Sequence, residues 1–392
     1  MMNSDKIKRI IEEVVKKKLK YNLISKDNKL IDKNHLINKF KLNEIDLKLE
    51  TNTDIKNTFR YIENNNVIPN SIDIIYQTFV NEKNFDRCSG YELSIDPLYH
   101  IEIICNKSKY ENLLKNNEKV RKFLENPKPE ILKVYSKNVG EFEELEYIIH
   151  FYFNINENYE FTLKIVADLL YEIFSLCDNL IIPLPISLTV YSDKNLKQEN
   201  DEISGHHRTF IIFKKDNDIY RGYYYDPEGY TNSYYVNTIY DIIEKLQYKK
   251  LEVKTIHASC PIGIQQILKN VDIGLCSVYS LFWYHCFIEI LYIIKKYEKN
   301  SGKKDLSDIS LLDYVNYLNE CIIKLPFKMN LEKVEDNYYV NYNGTPNLDN
   351  KMVLNIYLNY AIYVIGYTLR LLNNDDKNKL LKYIKEYEKE NL

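Results

Sequence analysis

Hydrophobic and polar residues follow several different periods along the chain, and each period predicts a different element. From Asp5 to Tyr21, Ile7, Ile10, Ile11, Val14, Val15 and Leu19 fall on one stripe, which predicts an amphipathic helix with a charged outer face. Residues 25–85 read as short, Asn-rich helical pieces. From about residue 90 the pattern changes. Leu98 to Cys105 and Ile148 to Ile155 read as strands, with a helix from Tyr110 to Leu124 stopped by Pro127 and Pro129. Phe161 to Leu176 has helical spacing. Ile181 to Tyr191 is extended, and Pro183 and Pro185 predict an edge strand there. Arg208–Phe213 and Tyr220–Tyr225 are strands around the turn-rich Lys-Lys-Asp-Asn-Asp. A helix from Ile239 to Leu246 and a strand from Leu251 to Ile256 follow. Residues 305–325 and 350–391 are helical.

One stretch lacks a polar face. Gly274 to Ile294 carries Trp283, the chain's one Trp, and is apolar on nearly every side, which predicts a helix buried all round. Gly274 comes at its start, and Lys295 and Lys296 close its far end. Met352 to Leu372 is almost as apolar. Its Asn355, Asn359 and Arg370 would be costly in hydrocarbon, so it too is expected to be a core helix rather than a membrane span. The expected organisation is a helical N-terminal arm or small domain over 1–85, a mixed domain over 86–300 and a helical extension over 301–392. The fold class is α+β.

Composition narrows the function classes. A hydrophobic content of 45% supports a sizeable core. Charged residues make up 28% with a net charge of -3, so no basic footprint for nucleic acid exists. The Lys-rich first helix, with Glu12 and Glu13 among its lysines, is expected to be a solvated face. The seven cysteines, Cys88, Cys105, Cys177, Cys260, Cys276, Cys286 and Cys321, form no C-x-x-C pair. Neither a disulfide framework nor a zinc knuckle is expected. The first residues lack an apolar signal core, so a reducing, cytoplasmic compartment is expected.

Candidate chemistry gathers at the start of the buried helix. Cys276 lies in its first turn, where the helix dipole favours a thiolate. Upstream stand Gly205-His206-His207 on one predicted strand and Asp226 at the end of the next. Side chains alternate faces along a strand and paired residues share a face. With Asp216-Asn217 as a two-residue loop, Lys215 would pair with Asp218 and His207 with Asp226. Any even-length loop keeps His207 on the face of Asp226, whereas an odd one would put His206 there. A carboxylate beside an imidazole fixes its tautomer and stabilises the imidazolium, which can hold a thiolate. Gln265, or its neighbour Gln266, comes shortly before the helix and suits an oxyanion donor, together with the backbone N–H of Cys276.

The order His207, Asp226, Gln265, Cys276, with intervals of 19 and 50 residues from His to Asp and Asp to Cys, resembles the ubiquitin-like-protein-specific cysteine proteases that include the SUMO proteases and adenovirus protease. The local words resemble a variant found in large DNA viruses. They are Asp226-Pro227-Glu228-Gly229, Cys260-Pro261-Ile262-Gly263-Ile264-Gln265 and Gly274-Leu275-Cys276-Ser277-Val278-Tyr279-Ser280. The resemblance covers roughly residues 145–295. It departs from the cellular enzymes in three places: Arg208 stands where Trp usually follows the His, Leu275-Cys276-Ser277 replaces Asp-Cys-Gly, and the loop from Gln to Cys is longer.

The resemblance implies a papain-like, adenain-like core, with a central sheet packed on the helix that carries Cys276. It implies Cys276 as nucleophile, His207 as base, Asp226 as orienting acid and Gln265 as oxyanion donor. No metal or cofactor is implied. The implied substrate is a protein cleaved at a small-residue, Gly-Gly-like site: a ubiquitin-like protein or a viral structural precursor. The corresponding place is the host cytoplasm or a virion.

Two other readings stand beside this one. Bacterial effectors of the same clan use a similar triad as acetyltransferases, and an inactive interaction or virion protein could keep the fold. A His257–Cys260 dyad is a rival pair without an evident acid. His285 and Cys286 are expected to pack in the core. His35, His100 and His150 have no partners in sight and are expected to be structural.

Overall fold

The computed structural model describes residues 4–20, 54–56, 58–59, 91–96, 99–125, 132–139, 144–152, 157–177, 181–191, 203–229, 234–247, 250–256, 263–268, 275–302, 311–328, 330–334, 337–341 and 349–371, with a few positions beyond. Two compact units result. One comprises 76–226 with 230–256; the other comprises 1–75, 227–229 and 257–392. The class is α+β, as expected.

The first of these units is built on an eight-stranded mixed sheet. Its strands are β1 (Tyr91–Asp96), β2 (His100–Asn106), β3 (Leu132–Val139), β4 (Glu144–Tyr152), β5 (Ile181–Tyr191), β6 (Ile203–Asp216), β7 (Ile219–Tyr225) and β8 (Leu251–Thr255), in the order β3-β4-β2-β1-β5-β6-β7-β8. Its helices are α2 (Lys107–Asn116), α3 (Glu118–Glu125), α4 (Tyr159–Ser175) and α5 (Tyr234–Leu246). Alternation puts Leu93, Ile95, Ile101, Ile103, Ile149, Phe151, Ile186, Leu188, Ile211 and Phe213 in one core with Leu163, Val166, Leu170 and Ile173 of α4 and Ile239, Ile242 and Ile243 of α5. Each side chain of that size contributes about 1.5–3 kcal/mol when fully buried.

β5 corrects one expectation. It is not an edge strand: it lies between β1 and β6. The reason is local. The β1 ladder reaches β5 only at Ile186, Ser187 and Leu188, whereas Pro183 and Pro185 face β6 alone. The prolines therefore occupy a segment with one free side, where a missing N–H interrupts no second ladder.

The other unit is mainly helical. Helix α1 (Ser4–Lys20) buries Ile7, Ile11, Val14, Val15 and Leu19 against α7 (Cys276–Ser301) and α8 (Leu311–Lys324). A short helix α6 (Ile264–Ile267), helix α9 (Asn350–Leu371) and a hairpin of β9 (Asn330–Val334) and β10 (Asn337–Asn341) complete it. The basic face of α1 is not merely solvated. Lys6 and Lys8 lie over the rings of Tyr297 and Tyr317, and Lys18 Nζ is 2.6 Å from His285 Nε2.

Helix α7 is buried on every side, as its sequence predicts, with Trp283, Phe282 and Tyr279 wholly buried. Within its unit it packs on α1, α8 and α9. Tyr357 of α9 meets Tyr279 and Phe282 edge-on. It runs on past Lys295 and Lys296 to Ser301, because Gly302, in the left-handed region at φ 67°, supplies the stop. Helices α7 and α9 are long and apolar enough to cross a membrane by length and composition. Yet 78% and 83% of their most apolar windows are buried within the protein, as core helices require.

Candidate functional site

The hairpin of β6 and β7 positions His207 and Asp226. Its loop is the two residues Asn217-Asp218, with Asn217 at φ 54°, and Asp216 pairs with Ile219. This register is two residues away from one that pairs Lys215 with Asp218. Asp226, one residue beyond β7, therefore does not lie directly opposite His207. The shift is even, so the face is kept, and His207 reaches Asp226 diagonally. His207 Nε2 and Asp226 Oδ1 are 2.8 Å apart, and both residues are buried. His206 points to the exposed face.

Asp226 is held at both oxygens. The Tyr224 hydroxyl donates to Oδ2 at 2.8 Å, on the same face two residues back. Burial, then the charge of Asp226, pushes the Tyr224 hydroxyl well above its ordinary value, so it stays a donor. A carboxylate removed from water needs such partners. With its Nε2–H donated to Asp226, His207 carries its lone pair on Nδ1, the nitrogen that would take a proton. Arg208 forms an ion pair with Glu92 of β1 across the intervening β5.

The chain passes into the helical unit at the next residue. Pro227, Glu228 and Gly229 lie against the segment that leads into α6. Gly263 N–H donates to Glu228 O, and Gln265 N–H donates to Pro227 O, each at 3.0 Å. The two sequence words Asp-Pro-Glu-Gly and Cys-Pro-Ile-Gly-Ile-Gln are thus hydrogen-bonded to each other. Their glycines have separate reasons. Gly229 has φ 80°, which only glycine adopts readily. Gly263 has an ordinary φ of -80°, but a Cβ there would stand 2.1 Å from Pro227 O and 2.5 Å from both Glu228 C and Gly229 N.

Gln265 and Gln266 differ in what holds them. Gln266 Nε2 donates to the Glu228 carboxylate. Gln265 is half-buried, and its side-chain oxygen is buried with no hydrogen-bond partner. The amide not engaged by Glu228 is that of Gln265. Cys276 is the first residue of α7 and is 7% exposed. His207 and Asp226 lie in the sheet unit, whereas Gln265 and Cys276 lie in the helical unit.

The remaining candidates sort differently. Cys286 is fully buried on α7, and burial holds its thiol far above the ordinary value. His285 does more than pack: Nδ1 is 3.1 Å from Tyr360 Oη, and Nε2 faces Lys18. His257, Cys260, Cys88 and His35 lie outside the described residues. Cys177 is disulfide-bonded, where free thiols are expected from the sequence.

His100 and His150 correct the sequence reading, because both have partners. His150 Nδ1 is 2.7 Å from Glu102 Oε1, the Tyr135 hydroxyl donates to the same oxygen at 3.0 Å, and the His100 ring stacks on that of His150. Burial pushes the Glu102 carboxyl up, but the bonds from His150 and Tyr135 outweigh it and hold the group below its ordinary value. His100 is lowered by burial and then by His150, against the pull of Glu102 and Asp96.

Comparison with family models, with curated proteins and with solved structures finds no match.

Proposed function

We propose that the chain is a cysteine hydrolase of the papain-like, adenain-like kind, with Cys276 as nucleophile, His207 as general base, Asp226 as orienting acid and Gln265 as oxyanion donor. The observation that carries the reading is the buried His207–Asp226 pair, with Tyr224 on the second carboxylate oxygen. A bland core offers no reason to bury an imidazole and a carboxylate together, whereas a general base requires an imidazole of fixed tautomer. Cys276 at the first position of a buried helix and Gln265, the amide that Glu228 does not hold, add to it.

In this reading His207 takes the proton of the Cys276 thiol. The sulfur attacks an amide or isopeptide carbonyl, and the oxyanion is met by the Gln265 amide and the Cys276 N–H. The imidazolium gives its proton to the leaving amine, a thioester forms, and water activated by His207 hydrolyses it. The substrate is a protein cleaved at a small-residue site, of the ubiquitin-like or viral-precursor kind.

The test is labelling of the purified chain with ubiquitin- and SUMO-vinyl sulfone and with iodoacetamide, in wild type, Cys276→Ala and Asp226→Asn. Selective modification of Cys276 that slows in Asp226→Asn supports the proposal. Equal modification of several cysteines, or none, refutes it in favour of an interaction protein.

A further inference from the structure

We infer that His100, Glu102 and His150 form a binding site for a divalent transition-metal ion of the zinc class, separate from the proposed hydrolase site. The placement follows from strand geometry. His100 and Glu102 are two residues apart on β2, so they share a sheet face. Glu102 pairs directly with His150 on β4. One donor atom from each of the three lies within 4.8 Å of the other two. Ligands on a tetrahedral zinc ion stand about 3.3 Å apart, given metal–nitrogen distances of about 2.0–2.1 Å, so side-chain rotation alone can close the set.

The chemistry of the set fits such an ion. Two imidazoles and one carboxylate are the donors that borderline divalent metals take, and three protein ligands leave a position for water. The carboxylate of Glu102 lies against His150 Nδ1; an ion would take the place of that direct contact, with a turn of the ring bringing Nε2 to it. His150 is 8% exposed, and its Nε2 is buried with no hydrogen-bond partner. A buried ring nitrogen without a partner costs free energy, and a bound cation would remove that cost. Tyr135, donating to Glu102, and Tyr152, whose ring lies 4.0 Å from that of His150, hold the cluster in place.

The experiment is titration of the purified, metal-stripped full chain with Zn²⁺ by calorimetry, and with Co²⁺ followed by its d–d absorption. The same titrations are made on His100→Ala and Glu102→Gln, with far-UV circular dichroism confirming the fold. Glu102→Gln keeps the shape of the residue and decides the matter alone if His100→Ala fails to fold. The expected result is one ion per wild-type chain and affinity at least tenfold weaker in each variant, with Cys276→Ala binding as wild type. Binding that survives both variants, binding that disappears on thiol alkylation, or no binding by wild type would overturn the inference. None of these outcomes bears on the hydrolase proposal, which Cys276 labelling tests.

Discussion

Gly263→Ala tests the contact between the segment after Asp226 and the segment that carries Gln265. The backbone at Gly263 has φ -80° and ψ 169°, which any residue adopts, so conformation alone would not penalise alanine. Removing a glycine from the unfolded chain would by itself stabilise by about 0.4–1 kcal/mol. The packing argues the opposite. The new Cβ meets only backbone, at 2.1 Å from Pro227 O and 2.5 Å from Glu228 C and Gly229 N, and backbone cannot swing aside like a flexible side chain. Overpacking of this kind costs about 1–3 kcal/mol. Separating the segments also strains the two hydrogen bonds at Gly263 N and Gln265 N, worth about 0.5–1.5 kcal/mol each. The net expectation is a loss of about 2–5 kcal/mol, read as a lowered midpoint with unchanged slope in urea denaturation. A variant as stable as wild type would refute the close approach and the reason given for the glycine.

The remaining predictions rest on separate contacts. Gly302→Ala places a side chain where nothing lies within 4 Å but at φ 67°, so it should cost only about 1 kcal/mol, from conformation alone. Tyr224→Phe and Asp226→Asn should couple by about 1.5–3 kcal/mol in a double-mutant cycle of stability, since the hydroxyl bonds a buried carboxylate; additivity would contradict that bond. His207→Ala should lose about 3–5 kcal/mol by leaving Asp226 buried without its imidazole, and a neutral effect would argue against the pair. Burial holds the Cys286 thiol far above its ordinary value and pushes Cys321 up to about 12, so both stay protonated at pH 8. They should resist alkylation in native protein and react only after denaturation.

How far the sequence carried these conclusions depends on the range of each signal. Local periodicity placed α1, α4, α7 and the β6–β7 hairpin, because their patterns are complete within one segment. Parity limited the partner of Asp226 to His207 for an even-length loop or His206 for an odd one, and the two-residue loop selects His207. The register was not, because Asn217 rather than Asp216 opens the loop and takes the left-handed conformation. Strands β1 and β3 were missed: Tyr91–Asp96 and Leu132–Val139 are short and set among polar residues. Their apolar positions gain meaning only beside β2 and β4. The central place of β5 was hidden by Pro183 and Pro185, which are tolerated only because β1 ends short of them.

The contacts of His150 could not be read from the chain either. Its carboxylate partner lies 48 residues away, and only strand pairing joins them. The glycine of Cys-Pro-Ile-Gly-Ile-Gln was visible as a word, while its cause, the carbonyl of Pro227, belongs to another word.

The most direct test of the proposed chemistry is the rate of iodoacetamide alkylation at Cys276 as a function of pH, measured peptide by peptide by mass spectrometry. A thiolate held by the imidazolium of His207 and the helix N-terminus should react at its full rate already near pH 7, and Asp226→Asn should slow it there at least tenfold. A rate that climbs steadily toward the ordinary thiol range near pH 8.5, identical in the two proteins, would contradict the account.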